Sequence, residues 1–376
     1  MAGKEEAHKT SLCGPVLDHI YGTIYGNCIG DAIGLLTEFM CRRMAKQNYG
    51  KAKVLEYNLK VPDMHRSRWE EGDWTDDSDQ MILIMQSLIE HNGVVKECDF
   101  ASKMIFWMKN GFPELGDHGG MGIGATTHAV LSNRDFLTDP HKAAHHAWEK
   151  FNRRAAPNGG VMRTSILGIY QFDNMEKVIE NTLKICKVTH ADPRCLASCV
   201  AVTTAIAMML QRQEKHFDAK KGKFKIDTII QDSYTYAKEQ LPPLSEDESV
   251  QQAHTELKEH MFAKDLKSLV LDEPDKIGYT YKCLGAGFWA LQQKDFRKAL
   301  SSLVMEGGDA DTNGAVAGAL LGCKLGAKEL PESWRDKLKH KEWLDNIIKK
   351  FLELMEQRHD PALKETKDSS EPTQSV

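Results

Sequence analysis

The residues of this chain best suited to chemistry form two acid-rich turns that lie far apart in sequence. The first reads W-E-E-G-D-W-T-D-D-S-D-Q from Trp69 to Gln80, and in it Thr75, Asp76 and Asp77 set a hydroxyl and two carboxylates in consecutive positions. The second is Glu306-Gly-Gly-Asp309-Ala-Asp311-Thr312, with two more carboxylates and a second threonine in a glycine-rich turn. All are hard oxygen donors of the type that magnesium, manganese or calcium takes. The first cluster also fits a plainer role, because it precedes the apolar run Met81 to Ile89. Acidic residues in a first helical turn cap free N–H groups and complement the dipole, for about 0.3–1 kcal/mol each. The second cluster favours the metal reading, since two donor sets of one kind could hold two ions about 3.5–4 Å apart.

Other candidates are single residues or short loops. Asp31 falls on a helix face that glycines mark as buried, so its carboxylate needs a partner, either a hydrogen bond at the metal site or a helix N-terminus. Glu38 follows about two turns later and reads either as a mobile catalytic carboxylate or as a solvated surface residue. Gly119 to Thr127, with Gly122 and Gly124, and Pro157 to Arg163, with Asn158 and Gly159, are loop-to-helix junctions that offer backbone N–H groups to phosphates. Neither junction is a P-loop or a dinucleotide fingerprint. Asp192 and Pro193 have the form of a helix start, and His190 just before them reads as a general acid or base, a phosphate or sugar contact, or a turn residue. His190 with Cys195 and Cys199, and His141 with His145, fall short of four zinc ligands.

Positioning these groups requires helices. Gly22, Gly26, Gly30 and Gly34 recur one turn apart on one face, and Gly314, Gly318 and Gly322 form a second stripe after Asp311. Each interior glycine costs a helix about 1 kcal/mol relative to alanine, which close approach of a second helix would offset. Pairing the stripes unites the two acidic turns and puts the first and last thirds of the chain in one domain. Apolar positions at three and four predict further helices over Asp79 to His91, Phe100 to Lys109, Pro140 to Arg153, Val161 to Phe172, Met175 to His190 and Pro193 to Leu210. Alternating strand patterns are few. The expected fold is all-α and single-domain over residues 12–360, with 211–275 a peripheral helical insertion, residues 1–11 flexible and 361–376 a disordered tail.

The 376 residues carry 49 basic and 54 acidic groups, for a formal charge of −5, so no global basic field argues for nucleic acid. Nine cysteines without paired spacing read as reduced thiols. No apolar run approaches the ~18 residues needed to span a bilayer, and the N-terminus has no apolar leader. The expectation is a cytoplasmic protein, or a nuclear one, with no membrane partner and acting as a monomer.

Six segments taken together resemble the ADP-ribosylglycohydrolase family: G-D-A-I-G-L-L-T-E (Gly30 to Glu38), W-T-D-D-S (Trp74 to Ser78), G-I-G (Gly122 to Gly124), N-G-G-V-M-R (Asn158 to Arg163), T-H-A-D (Thr189 to Asp192) and G-G-D-A-D-T (Gly307 to Thr312). The resemblance spans Ile20 to Gly326 and implies a compact multi-helix fold around two magnesium ions, or manganese in some members. By it, Thr75, Asp76, Asp77, Asp309, Asp311 and Thr312 are the metal ligands. Glu38 would lie on the mobile flap near the scissile bond, and it is read as the catalytic carboxylate that assists water or leaving-group proton transfer, with Asp76 and Asp77 as rivals. Asp31, Gly122, Gly124, Asn158, Gly159 and His190 bind substrate. The implied reaction is hydrolysis of the glycosidic bond between ADP-ribose and an acceptor such as a protein side chain. The alternative is a catalytically inactive, ADP-ribose-binding or crystallin-like member. Where some relatives carry an aromatic before N-G-G to stack the adenine, this chain has Ala155-Ala156-Pro157, so Phe151 or another aromatic must take that part.

Overall fold

Small residues set the centre of the molecule. The computed structural model describes Leu12 and residues 14–359; the expectations for residues 1–11 and 361–376 lie outside the described residues. Its first helix, α1 (Gly14–Gly34), lies against α13 (Ala310–Leu325). A Cβ added to Gly22, Gly26 or Gly30 would overlap the carbonyl oxygen of Gly322, Gly318 or Gly314, and the reverse substitutions would clash in the same way. The two backbones therefore meet with no side chains between them, and the first and last thirds of the chain share one core.

Between these helices run α2 (Arg42–Tyr49), α3 (Asp76–Glu90), α4 (Glu97–Asn110), α5 (Ala125–Leu131), α6 (Pro140–Lys150), α7 (Met175–Cys186) and α8 (Pro193–Gln211). Then come α9 (Ile226–Lys238), α10 (Glu248–Met261), α11 (Thr280–Leu291) and α12 (Phe296–Val304); after α13 follow α14 (Glu332–Arg335) and α15 (Lys341–His359). The one sheet among the described residues pairs β1 (Phe217–Asp218) with β2 (Lys223–Phe224), antiparallel, so the fold is all-α as expected. Residues 211–275 hold this hairpin, α9 packed on α8, and α10 packed on α11.

Two expectations need correction. Val161 to Phe172 is not an α-helix but a series of turns with a short 3₁₀ segment at Ser165–Gly168. Val161 to Tyr170 are all buried, so apolar recurrence there marks no helical face. Arg163 and Ser165 instead turn to different partners, Gln80 and Asn27. The sequence also does hold a segment long and apolar enough by length and composition to cross a bilayer, α8. Sixteen of its residues are buried, from Cys195 to Leu210, so its apolar surface faces protein.

Candidate metal centre and adjoining cleft

Asp31 links the glycine stripe to the first acidic turn. From the last turns of α1 it accepts hydrogen bonds from the Thr75 and Ser78 amides, both at 3.0 Å, and from Ser78 Oγ at 2.6 Å. It thus satisfies the free N–H groups at the start of α3 and fixes Asp76 and Asp77 relative to α1. The helix N-terminus is the partner its burial required. Asp31 is fully buried, with both oxygens committed to this cap, beneath the acidic groups it positions. Burial raises its carboxyl to about 7, against the lowering effect of these hydrogen bonds.

The second acidic turn arrives on α13. Asp309 occupies the N-cap position of the helix without a side-chain capping bond, and the two glycines before it, both at positive φ, fit tightly against carbonyls of Met40 and Leu271. Gly308 donates to Met40 O at 2.8 Å, and Phe39 N–H donates to Gly308 O at 2.7 Å. The Glu38 segment is thereby joined to the Asp309 turn. Carboxylate oxygens of Asp31, Asp77 and Asp311 lie within 4.8 Å of one another, as do those of Glu38, Asp309 and Asp311. Thr75 Oγ1 donates to Asp77 Oδ2 at 3.1 Å, and Thr312 N–H donates to Asp311 Oδ1 at 2.9 Å.

This assembly is electrostatically expensive as it stands. Burial, and after it the charges of neighbouring carboxylates, pushes the Asp76, Asp77 and Asp311 carboxyls well above the usual range. Asp77 Oδ1 is buried without a hydrogen-bond partner. A set of hard oxygens with one of them orphaned and several repelling fits a divalent cation, whose charge relieves both costs. Of the predicted donors, Asp77, Asp309 and Asp311 come together here, joined by Asp31 and Glu38, in a set of carboxylates that could hold metal.

From Asp76 a chain of hydrogen bonds runs to the other motifs. Gln80 Nε2 donates to Asp76 Oδ2 at 2.9 Å, and Arg163 Nη1 donates to Gln80 Oε1 at 2.7 Å. Arg163 Nη2 donates to Thr189 Oγ1, which lies 2.7 Å from His190 Nδ1. His190 Nε2 is buried without a partner, beside Gly159 and Thr127. Burial, and then the Arg163 charge, lowers His190 to about 3, so the ring is held neutral.

The glycine loops complete the surroundings. At Gly122, φ is +94° and an added Cβ would overlap Asp76 Oδ1, so the loop backbone lies directly against the centre; Gly124 is the extended residue before α5. Asn158 donates to Asp309 Oδ2 at 2.8 Å, while its amide bonds Gly278 O. Beyond Asn158 and Gly278 opens a cleft of about 800 Å³. Its walls include Trp148, Arg153, Arg154, Arg194 and Tyr279 together with Val250, Ala253 and Glu256 of α10, and Tyr279 OH donates to Glu256 Oε2 at 2.6 Å. Phe151, 41% exposed, lines a small adjoining recess with His190.

The sequence model of the ADP-ribosylglycohydrolase family matches residues 14–361. The chain belongs to the ADP-ribosylglycohydrolase family. It is 25% identical over 340 residues to an uncharacterized protein of Archaeoglobus fulgidus, covering 88% of this chain and 95% of that one. It is 23% identical over 343 residues to the ADP-ribosylarginine hydrolase Tri1 of Serratia proteamaculans, covering 89% and 79%. To the ADP-ribosyl-[dinitrogen reductase] glycohydrolase of Rhodospirillum rubrum it is 23% identical over 328 residues, covering 87% and 92%. A solved structure described as an ADP-ribosylglycohydrolase-related protein complex superposes with a TM-score of 0.63 at 22% identity, covering 90% of this chain and 99% of that one, and shares the fold. Family membership indicates an enzyme that removes ADP-ribose from acceptors.

In this ADP-ribosylglycohydrolase, motif reading alone passed over several residues that the fold brings to the centre. Gln80, Arg163 and Thr189 connect Asp76 to His190, and Arg163 is fully buried, with its guanidinium carbon 5.0 Å from the Phe100 ring centroid. A charged side chain in N-G-G-V-M-R, flanked by apolar residues, was the available signal. Trp148 and Tyr279 also went unnoticed. Trp148 Nε1 donates to Asp192 Oδ2 at 2.8 Å, and Arg194 braces the same carboxylate. Tyr279 gives no sequence signal, because only the Pro157–Tyr279 bridge brings it beside N-G-G.

Proposed function

We propose that the chain is a divalent-metal-dependent hydrolase that cleaves the glycosidic bond between ADP-ribose and a protein side chain, releasing ADP-ribose. The observation that carries this reading is the cluster of Asp77, Asp309 and Asp311 with Asp31 and Glu38, in which Asp77 Oδ1 is buried and unpartnered, with Gly278 joining it to a cleft large enough for a nucleotide. Thr75, Asp76, Asp77, Asp309, Asp311 and Thr312 would hold two magnesium ions, or manganese. When bound, such ions neutralise the carboxylates, orient ribose hydroxyls and make a water more acidic.

The chain's own groups do the rest. His190 Nε2, Asn158 and the backbones of Gly122, Gly124 and Gly159 bind the diphosphate and riboses. Adenosine lies in the cleft against Trp148 and Tyr279, with Phe151 at the adjoining recess. The anomeric carbon of the distal ribose then sits beside Glu38, whose carboxylate takes the proton of the attacking water. Water oxygen bonds to that carbon as the bond to the acceptor breaks, and the proton taken up by Glu38 passes to the departing acceptor. The oxocarbenium-like state between them is stabilised by the surrounding carboxylates.

Arginine-linked and serine-linked ADP-ribosyl peptides, assayed with and without chelator, test this reading. Free ADP-ribose should appear with magnesium and not with chelator. Release of inorganic phosphate in place of ADP-ribose would instead indicate a nucleotide phosphohydrolase, and the absence of any turnover would point to a silent ADP-ribose binder.

A further inference from the structure

Glu38 is held from both ends by one short segment, Asp63 to Trp69, that lies just ahead of the first acidic turn and shares only Trp69 with it. Arg66, only 3% exposed, donates through Nε to Leu36 O at 2.9 Å and through Nη2 to Glu38 O. Asp63 anchors that guanidinium by accepting from Nη1 and from the Arg66 amide. The backbone of Leu36 to Glu38 is thus clamped. Phe39 follows at φ +60°, a strained value for a bulky residue, and its N–H reaches Gly308 O.

The side chain is fixed by His65. Its Nε2 lies 2.5 Å from Glu38 Oε2, and the carboxylate is buried. On the other ring nitrogen, Arg68 Nη2 approaches Nδ1 at 2.6 Å. A guanidinium only donates, so Nδ1 accepts and the ring hydrogen is on Nε2, pointing at Glu38. Arg68 is itself braced, with Nε 3.2 Å from His65 O and its guanidinium carbon 4.5 Å from the Trp69 ring centroid. The imidazole is packed between the rings of Phe39 and Trp69, with centroids 4.8 and 5.1 Å away. Its plane and tautomer are therefore both set from outside the acidic centre.

We propose that His65 is a positioning residue for Glu38: its Nε2–H fixes one carboxylate oxygen, leaving the other to exchange a proton with water, and Arg68 selects the tautomer that allows this. The inference rests on the assignment of Glu38 as the proton-transfer group. A single donor on one oxygen also restricts rotation about the terminal carboxylate bond, which otherwise turns broadly. The entropic cost of aiming Glu38 is thereby met in the folded protein, before substrate arrives.

The test uses the full chain with magnesium and whichever ADP-ribosyl peptide is turned over, comparing Glu38→Gln, His65→Ala, His65→Gln and Arg68→Ala. His65→Ala should lower kcat roughly 10- to 100-fold, as removal of an orienting partner commonly does. KM should stay within about twofold, because substrate binding is untouched. Calorimetric binding of free ADP-ribose should likewise be unchanged. His65→Gln should recover most of kcat, since its amide can donate to Oε2, and Arg68→Ala should lose about threefold by freeing the tautomer. The inference is overturned if His65→Ala keeps full kcat while Glu38→Gln is inactive, or if His65→Gln recovers nothing. If Glu38→Gln itself keeps full turnover, the Glu38 assignment fails, independently of His65.

Discussion

The acidic centre and the open cleft are neighbours built on opposite principles. The centre gathers groups more than 200 residues apart, from Asp77 to Asp309 and Asp311, and packs them against backbone. Glycines let its backbones approach closely, and Asp31 is committed to a cap and Gln80 and Arg163 to a relay, while Asp77 Oδ1 is left without a partner. The cleft is lined by side chains of α6, the following loop, α8, α10 and the start of α11, several of them charged and exposed. The contrast teaches where electrostatic strain resides: the centre holds repelling carboxylates in place, whereas in the cleft Arg194 is paired with Asp192 at 2.9 Å.

Four outcomes would break or sharpen this contrast. The largest is expected for Asp311→Ala, which should lower magnesium-dependent turnover by on the order of a thousandfold. The same variant should melt at a higher temperature than the parent in chelator, because a repelling buried charge is gone. If it melts lower, the carboxylates are not a source of strain. Next is Gly30→Val, whose added carbons meet the Gly314 carbonyl; chemical denaturation should show a loss of on the order of 3 kcal/mol or more. An equally stable variant would mean that α1 and α13 are not locked together.

The third concerns acid stability. His190 has a folded pKa of about 3 against an ordinary value of 6.5, lowered first by burial and then by Arg163. Protonation therefore favours the unfolded chain: this group's contribution is complete above 6.5 and is lost as pH falls from 6.5 towards 3. Comparing denaturant midpoints at pH 7 and pH 4.5, His190→Gln should lose less stability than the parent by on the order of 2 kcal/mol. Equal losses would show that His190 is not held neutral. The smallest effect belongs to the cleft. Trp148→Ala should raise KM for an ADP-ribosyl peptide about tenfold with little change in kcat, the signature of lost base stacking. A fall in kcat with unchanged KM would make Trp148 part of the centre instead.

Much of the centre was legible in the sequence because its donors are chemically distinctive and come in short runs. Thr75-Asp76-Asp77 and Asp309-Ala-Asp311-Thr312 need no fold to be recognised as oxygen clusters, and the glycine stripes foretold which helices would join them. The burial of Asp31 foretold a partner, and α3 is that partner. The cleft was far less legible. Trp148 and Tyr279 are 131 positions apart, and an aromatic at a ligand wall has the same local pattern as one in a core. Val161 to Phe172 was misread as a helix because it is buried on all sides, where apolar spacing carries no periodic signal.

The sequence by itself determined the all-α class, the oxygen chemistry of the centre and the pairing of α1 with α13. Residue type and helical period are local properties, and both are written in short runs. Tertiary structure alone decided how the Asp76 to His190 relay connects, which residues wall the cleft, and that His65 and Arg66 hold Glu38. Those relations depend on where turns and caps deliver side chains from separate elements, and hydrogen bonds between such side chains leave no spacing in the sequence.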